Sequence, residues 1–227
     1  DYTNRGRIIT PLKDRFGAEI RTHYPRALAD EVAVIRQEAE LVAEVPDIVL
    51  EVLARWTRAL RESSAVDQRS GVSARFAISA AETVAASALH RATRRGEDQA
   101  VARVVDLESC VDVLRGKLEF ETGEEGRETE VLHHLLRTAV AGAVRDHFAG
   151  IDLALLVKAV EDGATVATGV QVTAEELLAG LPPLGESDLY DKVAERVGAR
   201  TPGEVASAVE FVLEGLYLAR KVGKDSD

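Results

Sequence analysis

Apolar residues recur at three- and four-residue steps along most of this chain, and each run is closed by proline, glycine or a polar stretch. From Arg26, the residues Leu28, Val32, Ile35, Ala39 and Val42 keep that step until Pro46 breaks it, which predicts a helix. Beyond Pro46, Ile48, Val49, Val52, Leu53, Trp56 and Leu60 share one face, and the polar stretch Glu62 to Ser70 ends the pattern. The lone tryptophan on that face is expected in the core. A long helix is expected from Ser73 through Phe76, Ile78, Ala81, Val84, Ala85, Ala88 and Leu89, ending at Arg94-Arg95-Gly96, where basic residues and glycine suit a helix C-terminus. A further helix starts near Asp106, a candidate cap, and runs through Leu107, Val111 and Leu114.

The strongest stripe comes later, in Val131, Leu132, Leu135, Leu136, Val140 and Val144. Shorter helices are expected over 151–161 and 173–181, the second opened by a capping box of Thr173 and Glu176. The last two fall at 189–197 and 202–218, with Pro202 in the first turn and Val205, Val209, Val212, Leu213 and Leu216 inward. The one departure from this period is Ala18 to Tyr24, where small or apolar residues alternate with Glu19, Arg21 and His23 until Pro25. Alternation with a closing proline predicts a short strand near 18–24. The class is therefore mainly α, with a strand-bearing edge first, a group of helices over 26–118 and an acidic helical bundle over 119–227.

Composition agrees with that class. Hydrophobic residues make up 46% of the 227, ample for a core, and aromatics only 4%. The formal charge of -11 falls entirely on the second half: residues 1–100 carry 15 basic and 15 acidic groups, residues 101–227 carry 13 and 24. An acidic surface repels a phosphate backbone, so nucleic acid is not an expected partner. No run approaches the ~20 apolar residues that span a bilayer, nor does a secretory pattern open the chain, so a cytoplasmic location and no membrane partner are expected. The chain lacks methionine and begins at Asp1, and is expected to be the back end of a larger protein.

Most of the chemically suggestive residues have plain readings. Cys110 is the one cysteine and, among apolar neighbours, reads as a buried inert thiol. Residues 119–130 hold six glutamates and two glycines without the spacing of a calcium loop, and read as a solvated loop. His133 and His134 diverge by ~100° on a helix, and only His133 shares a face with His147, so boundary histidines are expected rather than metal ligands. No metal site is expected from these residues.

Two arginines stand apart. Arg15 lies in Leu12-Lys-Asp-Arg-Phe-Gly17, and Arg75 closes Arg69-Ser-Gly-Val-Ser-Ala-Arg75 at the start of the long helix. The stretch from Asn4 to Gly17 resembles the end of the AAA+ core in magnesium-chelatase I subunits and the related MoxR-type ATPases, whose "LxDRFG" segment carries an arginine finger. The second motif resembles the start of the lid helix that bears the sensor 2 arginine. The resemblance covers about the first 95 residues and, in the later half, only a chelatase-like subgroup.

That resemblance implies an organisation and a mechanism. Residues 1–25 would close a truncated AAA+ α/β core, 26–118 would form the helical lid and 119–227 an acidic C-terminal helical domain. Arg15 would act in trans as the arginine finger, and Arg75 would contact ATP phosphate as sensor 2. ATP and Mg2+ would be held mainly by upstream motifs, since the glycine-rich phosphate loop and the acidic metal-binding strand are absent from these 227 residues. A homo-oligomeric ring and a von Willebrand A-type protein partner are implied as well. The fragment alone is then expected to be inactive. The rival expectation is a non-enzymatic all-helical adaptor that docks a partner through its acidic half.

Overall fold

Helical periodicity becomes helix almost everywhere in the computed structural model, which describes residues 14–18, 20 and 22–224. Among them, nine α-helices follow in order: α1 (Leu28–Glu38), α2 (Asp47–Glu62), α3 (Ala74–Arg95), α4 (Ser109–Leu114), α5 (Glu128–His147), α6 (Ala154–Glu161), α7 (Ala174–Ala179), α8 (Leu189–Arg196) and α9 (Pro202–Leu218). A 3-10 turn at Val104–Glu108 leads directly into α4. Sheet-like pairing among the described residues is confined to two isolated bridges, Glu44 with Val101 and Val66 with Phe120. The mainly-α class holds.

Two helices organise the packing. The apolar face of α2 meets α1, α3 and α5, and the helix is buried so far around that Leu50 and Ala54 are enclosed along with Ile48, Leu53, Trp56 and Leu60. Each large side chain taken fully from water contributes about 1.5–3 kcal/mol. Trp56 sits edge-on to Phe76 of α3 at 5.1 Å, and its indole N–H donates to the Leu132 carbonyl of α5 at 3.2 Å. Helix α9 is the second organiser, packing on α5, α7 and α8. Gly215 lets α9 approach α5 so closely that a Cβ there would collide with Val144. Because α5 touches both organisers, residues 26–118 and 119–227 share one continuous hydrophobic core.

Helix ends follow local chemistry where the sequence offers it. Thr173 accepts from the Glu176 N–H, and Glu176 accepts from the Thr173 N–H at 2.8 Å, so the expected capping box is present. Thr201 and Glu204 form a second box at the start of α9, with Pro202 in the first turn. Helix α3 ends as expected, at Gly96 in the left-handed conformation.

Three expectations differ from what is found. Helix α1 stops at Glu38, well short of Pro46, because the Glu44 N–H donates to Ala100 at 2.9 Å and the Glu44 carbonyl accepts from Ala102 at 2.8 Å. That tertiary pairing outweighs the helical period and leaves Val42 exposed. The described residues of the expected strand over 18–24, namely Ala18, Ile20 and Thr22 to Tyr24, carry no strand assignment; a strand needs a ladder partner to satisfy its backbone, and none lies beside them among the described residues. Asp106, expected at a helix start, is instead fully buried inside the 3-10 turn. Of the motif from Leu12 to Gly17, residues 12 and 13 lie outside the described residues.

Candidate functional site

The two arginines singled out by sequence lie at the N-terminal end of the helical group. Arg15 is exposed in a turn, flanked on the surface by Phe16 and Ile20, 65% and 86% accessible. Arg75 is exposed in the first turn of α3. Neither has an ion-pair partner among the described residues. The start of α3 also lacks compensation: Ser73 makes no side-chain capping bond and no acidic residue lies in the first turn. The positive end of this 22-residue helix is therefore left open, in contrast to the glutamate-capped starts of α7 and α9.

What ties this end together is a residue that sequence reasoning missed. Arg61, in the last turn of α2, donates through Nη1 and Nη2 to the two oxygens of Glu31 on α1, both at 2.7 Å. Its Nε donates to the Val72 carbonyl at 2.8 Å, three residues before Arg75. Its guanidinium also lies over the ring of Tyr24, 4.0 Å from the centroid. The Arg61 side chain is 9% exposed and that of Glu31 1%. Arg58, one turn earlier, donates to the Arg26 carbonyl at 3.0 Å. Thus α1, the segment leading from Arg15 and the loop leading to Arg75 all meet the end of α2.

The loop before α3 is itself fixed. Asp67 accepts from the backbone N–H of Arg69 at 2.8 Å and from its guanidinium at 2.8 and 3.0 Å. The Arg69 hydrogen bonds hold the Asp67 carboxyl below its ordinary value. The Asp67 N–H donates to the Glu119 carbonyl at 2.8 Å, and Ser70 bonds the Glu119 side chain. The beginning of the glutamate-rich loop is therefore pinned beside Arg69, while Arg75 takes no part in these bonds. Among the described residues, no group of three or more His, Cys, Asp or Glu side chains is arranged to hold a metal.

A second polar cluster, also missed, lies in the seam between α3 and α9. Arg103 donates to Glu210 at 2.9 and 2.7 Å and to the Val172 carbonyl at 2.6 Å. Burial lowers the Arg103 pKa, but Glu210, with Glu97 and Asp106 behind it, outweighs burial and leaves it raised. Asp106 accepts from the Arg103 N–H at 2.9 Å and from Arg91 at 3.0 Å, and Arg91 reaches Glu97 at 2.7 Å. Every buried side-chain nitrogen and oxygen described has a partner. With all donors satisfied internally, this seam holds elements together and offers nothing to a ligand. A signal for it existed: Glu210 interrupts the apolar run Val209, Phe211, Val212. A charge on a core-facing stripe needs a buried partner.

The remaining candidates behave plainly. Cys110 is fully buried, donates weakly to the Ala80 carbonyl at 3.4 Å, and burial pushes its thiol up to about 12. His147 Nε2 lies 2.8 Å from Glu51 at the α2–α5 boundary. A cleft of about 240 Å³ opens between the 3-10 turn, α5 and α9, with Leu107, Leu136 and Val140 as floor and His133 and Arg137 on its wall. Neither Arg15 nor Arg75 lines it. No helix of the described residues is long and apolar enough to cross a membrane. Comparison with protein-family models, with curated proteins and with solved structures finds no match.

Proposed function

We propose that this chain is the lid and C-terminal module of an AAA+ ATPase of the magnesium chelatase I/MoxR type, which couples ATP hydrolysis in a ring to remodelling of a protein partner. One observation carries the reading: Arg15 and Arg75, the arginines of the two motifs, are exposed and without ion-pair partners among the described residues, whereas Arg61, Arg91 and Arg103 are consumed by carboxylates. Exposed guanidiniums keep their planar fork free for phosphate oxygens. The surface apolar residues Phe16 and Ile20 beside Arg15 suit a segment that packs against a neighbouring subunit.

In this reading, ATP with Mg2+ supplies the transferable phosphoryl group, and its metal ligands belong to upstream motifs. Arg15 reaches across the subunit interface and offsets charge developing on the phosphoryl oxygens, a role worth about 10³ to 10⁵ in rate. Arg75, beside the open amides of α3, senses phosphate and sets the angle of the lid. The protein works in the cytoplasm with a von Willebrand A-type partner. In the full-length protein, Arg15→Ala abolishes turnover and spares ATP binding; normal turnover in that variant removes the proposal.

The cleft between the 3-10 turn, α5 and α9, with its apolar floor and exposed Val170 at the rim, favours a second reading as an adaptor that docks a protein through the acidic half. Upstream coding sequence separates the two. A Gly-x-x-x-x-Gly-Lys-Ser/Thr motif before Asp1 supports the ATPase, and its absence supports the adaptor.

A further inference from the structure

We infer that Arg61, Tyr24 and Gly71 form a latch that couples the segment carrying Arg15 to the helix carrying Arg75, with Arg61 as a positioning residue; the inference rests on the ATPase reading above. Arg61 uses its guanidinium in two directions at once. In the plane of the fork it holds Glu31 through two bonds and the Val72 carbonyl through a third. It also lies over the face of Tyr24, 4.0 Å from the ring centroid, a placement that a cation and an aromatic ring prefer. A lysine at this position has one compact charge and cannot serve the carboxylate, the carbonyl and the ring together.

The other side of Tyr24 closes the latch. Gly71 has a φ of +67°, and a Cβ placed on it would lie 2.8 Å from the Tyr24 hydroxyl oxygen. Glycine suits that backbone, and a Cβ there would push the tyrosine hydroxyl aside. Tyr24, about half exposed, thus keeps its ring under the Arg61 guanidinium and its hydroxyl in the space that Gly71 leaves, while Arg58 grips the Arg26 carbonyl two residues on. Val72 is three residues from Arg75, and Tyr24 is nine from Arg15. A change in the direction of α3 moves Val72, and through Arg61 and Gly71 it moves the seat of Tyr24. The finger segment and the sensor helix therefore respond to one another through a contact that neither arginine makes.

The test avoids Arg61 itself, because its loss strands the buried Glu31 carboxylate. Tyr24→Leu, Tyr24→Phe and Gly71→Ala are made in the full-length protein, and kcat, the ATP KM and the thermal midpoint are measured for each. Misplacing a reacting group by ~1 Å costs about 10²-fold, so Tyr24→Leu is expected to lower kcat by that order with KM and midpoint unchanged. Tyr24→Phe keeps the ring under Arg61 and restores kcat. Gly71→Ala, which crowds the tyrosine hydroxyl and strains a left-handed backbone, lowers kcat as well, with a fall in midpoint from the strain. Wild-type kcat in Tyr24→Leu overturns the latch alone and leaves the ATPase standing. So does a kcat loss in Tyr24→Leu that tracks a falling midpoint or that Tyr24→Phe fails to restore. A wild-type full-length protein that hydrolyses no ATP overturns both.

Discussion

The seam between α3 and α9 and the end of α2 near Arg75 are built from the same residues, arginine and glutamate, and use them in opposite ways. In the seam, Arg91, Arg103, Asp106 and Glu210 are buried and every partner is internal. At the end of α2, Arg61 is consumed in the same manner, but two further arginines on the elements it joins, Arg15 and Arg75, face solvent. Desolvation explains the contrast. A buried guanidinium is tolerated only when nearly all its donors are met, so it has none to lend. An exposed one keeps its hydration and its capacity to exchange water for phosphate. Burial with full pairing thus marks arginines that hold the fold; Arg15 and Arg75 share their exposure with surface arginines such as Arg94, Arg115 and Arg137, and are set apart from those by the motifs they lie in.

The largest expected loss of stability breaks the seam. Glu210→Ala leaves Arg103 buried without its carboxylate and should cost about 3–5 kcal/mol, read from the denaturation midpoint. Changing both residues together, Arg103→Met with Glu210→Leu, should recover most of that loss, because the pair's Coulombic gain is largely offset by desolvation. A single Glu210→Ala as stable as the parent would show that the seam is not what joins α9 to α3.

Arg75→Ala should do the reverse. No described residue loses a partner, so the denaturation midpoint stays at the parent value while turnover of the full-length protein falls. Equal losses in both measurements would place Arg75 with the structural arginines and erase the contrast.

How much of this was legible beforehand depends on whether the interaction is local. The face of α2 with Trp56, the Gly96 end of α3, the α5 stripe and the Thr173–Glu176 box all follow from neighbours within a few residues, and all could be read directly. The early end of α1 could not, because it depends on Glu44 pairing with Ala100 and Ala102, more than fifty residues away in the chain. The strand over 18–24 was suggested by alternation alone, which describes which side chains share a face but supplies no ladder partner. Arg15 and Arg75 were found by motif, and their exposure could not be. Arg61 carried no sequence signal: it ends an amphipathic helix where an arginine is ordinary, and its meaning lies in Glu31, Val72 and Tyr24.

The smallest effect expected sharpens the contrast at helix starts. The backbone N–H groups of Thr173, and of Arg200 and Thr201, hold the Glu176 and Glu204 carboxyls below their ordinary value of 4.5. A carboxylate depressed in the fold adds stability that is complete above 4.5 and disappears as the pH falls through the lower folded value. Stability measured from pH 7 downward should therefore decline below about 4.5, and Glu204→Gln should flatten part of that decline. Helix α3, with no acidic cap, contributes nothing to it.

The central claim, that Arg15 serves the nucleotide of a neighbouring subunit, is tested most directly by mixing two inactive full-length proteins. One carries Arg15→Ala, and the other an alanine in place of the phosphate-loop lysine that the ATPase proposal places upstream. Each alone should lose about 10³-fold or more in turnover, and the mixture should regain ATP hydrolysis, because an intact finger then meets an intact phosphate loop. A mixture that stays inactive although it assembles, or an Arg15→Ala protein that turns over ATP on its own, would contradict it.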